Sequence, residues 1–261
     1  MRLTPLLLLT LALATPLARA ADDDITVAAA ISLKDALTDV AKSYQSDTGH
    51  RVGFTFASSG QLMAQVKNGA PIDLFISAAE RQVDQLAAAK LIDPATRRII
   101  ARNDLVLIAP AAAKSPPTSF KDLADPRHGR IALGDPKTVP AGEYAAQVLD
   151  ALKVADAVRP RAVYGSNVRQ VLDYVERGEV AAGIVYATDA QESGAKVRVI
   201  ERAAPETHAP IVYPAAVISA SKRADAAKKF LDYLATDKAQ KLLAARGFTP
   251  PTPQDSAHPA R

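Results

Sequence analysis

Residues Gly134 to Ala145 read GDPKTVPAGEYA. They have the form of a strand end, a loop fixed by Pro136 and Pro140, and a helix. The apolar positions Tyr144, Ala145, Val148, Leu149 and Leu152 recur at helical spacing. Small residues, Ala141 and Gly142, stand at the helix mouth. A helix N-terminus carries unpaired N–H groups and the positive end of the helix dipole, and small side chains let an anion reach that backbone. One such junction is common and need bind nothing. Here the same order of strand, short loop, small or hydroxyl residue and helix occurs at three other places.

Upstream, Ile25 to Ala30 (ITVAAA) reads as a buried strand that runs into Ile31-Ser32 and a helix. Leu33, Ala36, Leu37, Val40, Ala41 and Tyr44 keep the helical rhythm until Gly49 ends it. Ser32 stands at or beside the N-cap, either as a plain capping serine or as a hydroxyl facing a ligand. Val52 to Ala57 is a second strand, followed by Ser58-Ser59-Gly60 and a short helix. Those residues read either as a cap with a flexible approach or as an oxyanion cradle. Pro71 to Ala78 is a third strand, with a helix from Glu80 to Leu91. Downstream, Ala162 to Tyr164 leads through Gly165-Ser166-Asn167 into a helix marked by Val168, Val171, Leu172 and Val175. Arg169 lies in its first turn, where the dipole disfavours a cation. It reads either as a surface ion-pair partner or as a source of positive potential near an anion. Ala181 to Tyr186 is a buried strand ending in a tyrosine, which reads either as a core or rim side chain with its hydroxyl in water or, at the end of an open α/β sheet where ligands sit, as a group facing a ligand.

Alternating strands and helices predict an α/β fold with right-handed crossovers and a mostly parallel sheet. Asp104 to Ala109 is a strongly apolar strand, and the shift in composition after it marks entry into a second lobe. Ile211 to Ser219 carries Pro214 in its middle. Proline donates no ladder bond, so a strand change or sheet edge is expected there, at the return to the first lobe. The division expected is a first lobe of residues 21–102 and 214–254, a second of 103–213, and a disordered tail of 255–261.

Met1-Arg2, the apolar run Leu3 to Leu13 and the close Ala18-Arg19-Ala20 form a signal-peptide pattern over residues 1–20, with cleavage expected after Ala20. The apolar run is too short to span a bilayer. The chain contains no Cys, which excludes disulfides, thiolate metal sites and the lipoprotein anchor. These features point to a soluble, exported, periplasmic protein. The net charge of +4 falls to +2 once Arg2 and Arg19 are removed, and the basic residues are scattered among acids. Nucleic-acid binding is therefore unsupported. The four histidines show no ligand-like spacing, and nucleophile-elbow and P-loop motifs are absent. No base stands in sequence beside the candidate hydroxyls, so the chain does not read as an enzyme.

What remains is a set of neutral donors: serine hydroxyls, helix N-termini and a tyrosine. Such donors suit a small, fully deprotonated dianion, and the scarcity of carboxylates at the helix mouths (only Asp135 and Glu143, flanking one) disfavours a protonated phosphate. Sulfate, molybdate and tungstate stay open on these grounds.

The segments ITVAAAISLKDAL, FTFASSGQL, GAPIDLFISA, GDPKTVPAGEYA, SNVRQVLDYVERGE, GIVYATDA and ARGFTP resemble, in that order and spacing, the periplasmic molybdate-binding proteins of ATP-binding-cassette molybdate importers. The resemblance covers Ile25 to about Thr249. It implies a type II periplasmic-binding-protein fold: two α/β lobes joined by two hinge crossings, near Arg102–Leu105 and Val212–Pro214, with the ligand in the cleft. It implies molybdate or tungstate held without charged contacts, no cofactor, a monomer, and delivery to a permease in the inner membrane. Carried over by position, Ser32 and Ser59 give hydroxyl and N–H, Ala141 and Val168 give backbone N–H, and Tyr186 gives its phenolic O–H. Two positions depart from the pattern. Ile31 replaces a small residue, and Gly60 replaces a frequent Ser or Thr.

Overall fold

The computed structural model describes residues 24–253 and 255. The expected signal peptide and residues 256–261 of the expected tail lie outside the described residues. Among the described residues, ten strands form two five-stranded sheets. The first has the order β2 (Val52–Ala57), β1 (Ile25–Ala30), β3 (Leu74–Ile76), β10 (Val212–Val217), β4 (Arg98–Arg102). The second has the order β7 (Ala162–Gly165), β6 (Ile131–Gly134), β8 (Ala182–Tyr186), β5 (Leu105–Pro110), β9 (Val197–Arg202).

The sheets are mixed rather than mostly parallel. β1 runs parallel to β2 and β3, and β6 to β7 and β8. β10 is antiparallel to β3 and β4, and β5 to β8 and β9. The crossings explain this. The chain leaves the first sheet through β4, Asn103-Asp104 and β5, and it returns through β9 and β10. The outgoing and returning strands lie side by side in opposite directions, so they pair antiparallel in both sheets. Val212 and Tyr213, assigned to the second lobe from the sequence, pair with Arg102 and Ala101 in the first sheet. Pro214 lies inside that sheet, not at its edge. A register shift between Tyr213 and Pro214 on the β4 side accommodates the missing donor.

Helices cover both faces of the first sheet and pack against the second. In the first lobe, α1 (Lys34–Thr48), α8 (Ala224–Leu234) and α9 (Asp237–Ala245) bury Leu37, Val40, Tyr44, Phe230 and Leu234. On the other face, α2 (Ser59–Lys67) and α3 (Glu80–Ala88) bury Leu62, Val66, Val83 and Leu86. The second lobe carries α4 (Pro140–Ala151), α5 (Ala155–Val158), α6 (Val168–Glu176) and α7 (Ala187–Ser193). In α6, Val168, Val171, Leu172 and Val175 all face inward. Each such side chain contributes ~1.5–3 kcal/mol of burial, which fixes the helix starts against the sheets. Past the last helix, Thr249 bridges to Arg102, and Arg102 donates to Asp255 at 2.9 Å, tying the first residue of the expected tail to β4. No helix among the described residues is long and apolar enough to cross a membrane.

Candidate functional site

Four of the strand-to-helix junctions, and the end of β8, converge between the lobes. At the first, a single 3-10 turn, Ile31–Leu33, separates β1 from α1. Ser32 does not cap a helix, as one reading of the sequence had it. Its Oγ lies 3.0 Å from the Tyr213 hydroxyl. At the second junction the two serines divide the labour. Ser58 closes a capping box with Gln61, and Ser59 becomes the first helical residue, fully buried. Ser59 Oγ accepts from the Ala78 N–H at 3.0 Å. Its own hydrogen is then free to donate elsewhere.

The third junction is the stretch Gly134–Ala145. Pro140 occupies the first helical position of α4, where its missing N–H costs nothing. Ala141 follows, with its N–H in the first turn and outside the helical ladder. A Cβ on Gly142 would overlap the Gly134 carbonyl, so both glycines serve the close seating of α4 on β6. At the fourth, Asn167 caps α6 by accepting from the Gln170 N–H at 3.0 Å, and Val168 is the first helical residue. Tyr186 ends β8 and is 1% exposed.

Ser32, Ser59, Ala141, Val168 and Tyr186 all line one cavity, walled also by Ile31, Ala78, Val139 and Pro140. None of its lining residues carries a charge. It is small: ≈ 10 Å³ is open to the centre of a water-sized sphere, about one such sphere's worth, against ~300–1,000 Å³ for sites that take organic ligands. The Tyr186 hydroxyl is buried beside it and has no hydrogen-bond partner among the described residues. Burial pushes the Tyr186 phenol well above its ordinary range, so it stays protonated and can donate. The two acids flanking the third junction point elsewhere. Glu143 pairs with Arg81 of the first lobe at 2.8 Å, and Asp135 accepts from the Lys137 N–H. The cavity thus offers donors and no ionised acceptor, an environment for a small anion without protons of its own.

Sequence reasoning missed the residues behind this wall. Tyr213, Asn103 and Thr188 are buried and hydrogen-bonded together, yet no local pattern marks any of them. Arg169 is neither a plain surface partner nor a free positive charge. Its guanidinium reaches Asp35 of the first lobe at 2.9 Å and Asp189 of its own lobe at 2.7 Å. Burial opposes its charge, but Asp189 and Asp35 more than offset this and raise its pKa. Asp189 is fully buried, and burial pushes its carboxyl up to about 6 against the pull of Arg169. Away from the cavity, Asp122, Asp125 and His128 bring ligand-type atoms within 4.8 Å of one another. Their carboxylates already accept from Thr118, His128 and Arg127.

Residues 25–249 match the family model described as bacterial extracellular solute-binding protein. The chain is 42% identical over 226 residues to a putative ABC transporter substrate-binding lipoprotein, YvgL, of Bacillus subtilis, covering 86% of each chain. It is 40% identical over 237 residues to the molybdate-binding protein ModA of Haemophilus influenzae, covering 88% of this chain and 91% of the relative. Among solved structures, the Azotobacter vinelandii periplasmic molybdate-binding protein superposes with a TM-score of 0.78 at 26% identity, over 87% of this chain and all of that one. A two-lobed α/β architecture, a cavity at the lobe junction and these likenesses agree: the chain belongs to the bacterial extracellular solute-binding proteins and, within them, to the ModA family.

Proposed function

We propose that this protein captures molybdate, and tungstate with it, in the periplasm and delivers it to the membrane permease of an ABC importer. The observation that carries the reading is the buried, unpartnered Tyr186 hydroxyl beside a cavity that also presents Ser32, Ser59, Ala141 and Val168. A buried donor without a partner costs ~1–3 kcal/mol, and an oxoanion would relieve it. Ser32 and Ser59 belong to the first lobe, the other three to the second. The anion then bridges the lobes and favours the closed arrangement, in keeping with the hinge closure known for periplasmic binding proteins as a class. Hydrogen bonds to a charged acceptor contribute ~1.5–3 kcal/mol each, so several reach the ~8 kcal/mol of micromolar binding or better. The reading includes no turnover. Ser32 and Ser59 Oγ are bonded to Tyr213 and to the Ala78 N–H rather than to an activating base. Export through the N-terminal signal, without a lipid anchor, belongs to the same reading.

Calorimetric titration with molybdate, tungstate, sulfate and phosphate tests it. Molybdate and tungstate are expected to bind tightest and phosphate not at all. Molybdate at about a thousand times its Kd should add ~4 kcal/mol of stability. Heat with sulfate and none with molybdate would make the protein a sulfate-binding protein of the same fold. Hydrolysis or transfer on any substrate by the pure protein would instead make it an enzyme acting through the cavity hydroxyls.

A further inference from the structure

We propose that Asn103 and Tyr213 form a positioning relay that fixes Ser32 as a one-way hydrogen donor into the cavity. The inference rests on the oxoanion reading above. Its members come from distant parts of the chain. Asn103 lies in the first crossing, and its backbone N–H donates to Ile211 O, joining the two crossings. Tyr213 lies at the start of β10, and Thr188 lies two residues beyond Tyr186. All are buried, Tyr213 completely.

Hydrogen counting gives the relay its direction. Asn103 Oδ1 accepts from the Asp104 N–H at 2.9 Å, which settles which end of the amide is oxygen. Asn103 Nδ2 then donates its two hydrogens to Thr188 Oγ1 at 2.9 Å and to the Tyr213 hydroxyl at 3.1 Å. The Tyr213 oxygen is an acceptor in that bond, and its hydrogen has Ser32 Oγ at 3.0 Å as its partner. Ser32 thereby accepts from Tyr213, and its own hydrogen is left for the cavity. The reverse order, Ser32 donating to Tyr213, would strand the Tyr213 hydrogen in a fully buried place, which native structures avoid. A free serine hydroxyl can rotate to accept from a protonated anion. One whose lone pair is already engaged by Tyr213 is biased toward donation. The relay thus favours anions that carry no proton.

The test is a double-mutant cycle read by calorimetry with molybdate and sulfate, using wild type, Tyr213→Phe, Ser32→Ala, the double variant and Asn103→Asp. Ser32→Ala is expected to weaken molybdate roughly tenfold or more, as loss of one hydrogen bond to a charged acceptor does, and Tyr213→Phe, which removes only the bond that orients Ser32, to weaken it by a smaller, several-fold factor. The double variant should bind no more weakly than Ser32→Ala alone, because Tyr213 acts only through Ser32. Asn103→Asp replaces the donor with an acceptor, draws the Tyr213 hydrogen away from Ser32, and should match the Tyr213→Phe loss. It also serves if Tyr213→Phe does not fold, which melting without ligand will show. Losses that multiply in the double variant would reduce Tyr213 to a packing residue and overturn the relay. Wild-type affinity in Asn103→Asp would overturn it as well. Absence of molybdate binding by the wild type would instead remove the oxoanion reading, and the relay with it.

Discussion

Tyr186 stands where stability and function pull apart. Its hydroxyl is buried without a hydrogen-bond partner among the described residues, a cost of ~1–3 kcal/mol. Tyr186→Phe removes that cost and keeps the ring. The unliganded variant should therefore unfold at equal or higher urea concentration than wild type. Its molybdate affinity should fall by roughly 10–150-fold, the range for a hydrogen bond to a charged acceptor. A variant that loses stability and keeps affinity would show the hydroxyl to be structural. Asp189 supplies a second prediction. Its folded pKa of about 6 lies above the ordinary 3.8, so the folded state holds the proton more tightly than the unfolded chain. Its contribution to stability is fully present below about 3.8 and is lost as pH rises through about 6. Relative to Asp189→Asn, which cannot titrate there, the wild type should gain melting temperature as pH falls from about 7.5 to about 4.5. A pH-independent difference would show that Arg169 holds the carboxyl ionised throughout. The junctions that hold the five cavity residues were legible as local patterns, but the residues themselves were named only by the resemblance, since the pattern left Ser32 and Ser59 open between cap and donor and gave Val168 as an apolar helix position. Tyr213 and Asn103 were marked by neither. Tyr213 looks like one more apolar-run aromatic before Pro214, and its partner Ser32 is 181 residues away.

At the scale of elements, the junctions differ in what their glycines do. Gly60 lies in the first turn of α2, and its N–H donates to Thr138 O at 3.0 Å, across to the second lobe. A Cβ there would come within 2.5 Å of that oxygen. Gly142 instead packs within one lobe, against Gly134. The two substitutions should therefore separate. Gly60→Ala is expected to leave unliganded stability within about 0.5 kcal/mol while weakening molybdate at least tenfold, since it meets its obstacle only in the closed arrangement. Gly142→Ala should destabilise the unliganded fold by ~1–3 kcal/mol, the usual result of overpacking. Equal melting losses in both would mean that Gly60 is needed by the fold and not by closure. The resemblance showed Gly60 as a departure from a serine or threonine, but not its contact, because Thr138 belongs to the other lobe. Strand direction was hidden for a similar reason. Hydrophobic period identifies a strand such as β5 or β10, whereas its pairing depends on how the outgoing and returning crossings lie side by side. β4 escaped notice because RIIAR is short and bounded by arginines.

At the scale of the whole molecule, the lobes meet through contacts that need no ligand: Gly60 with Thr138, Arg81 with Glu143, and Arg169 with Asp35. On the proposed reading each favours closure slightly, and the anion supplies the rest. A ligand shifts a two-state equilibrium only by its differential affinity for the two states. Arg169 was legible as an oddity, a cation in the first turn of a helix, but its partner Asp35 lies 134 residues away in the sequence. Replacing Arg169 would be a poor test of the latch, because it would strand the buried Asp189 charge and cost several kcal/mol of folding. Asp35→Asn is the cleaner change. It removes only the inter-lobe limb and leaves Arg169 with Asp189. Asp35 is about one-third exposed, so the pair is expected to contribute ~0.2–1 kcal/mol, a fall in molybdate affinity of roughly 1.5- to 5-fold. Because the contribution is electrostatic and reaches solvent, salt should weaken wild-type binding more than it weakens binding by Asp35→Asn. Small-angle scattering without ligand should show the variant slightly more extended. If affinity, salt dependence and scattering are all unchanged in Asp35→Asn, the ion pair is a bystander, and closure rests on the anion, the backbone contact at Gly60 and the Arg81–Glu143 pair.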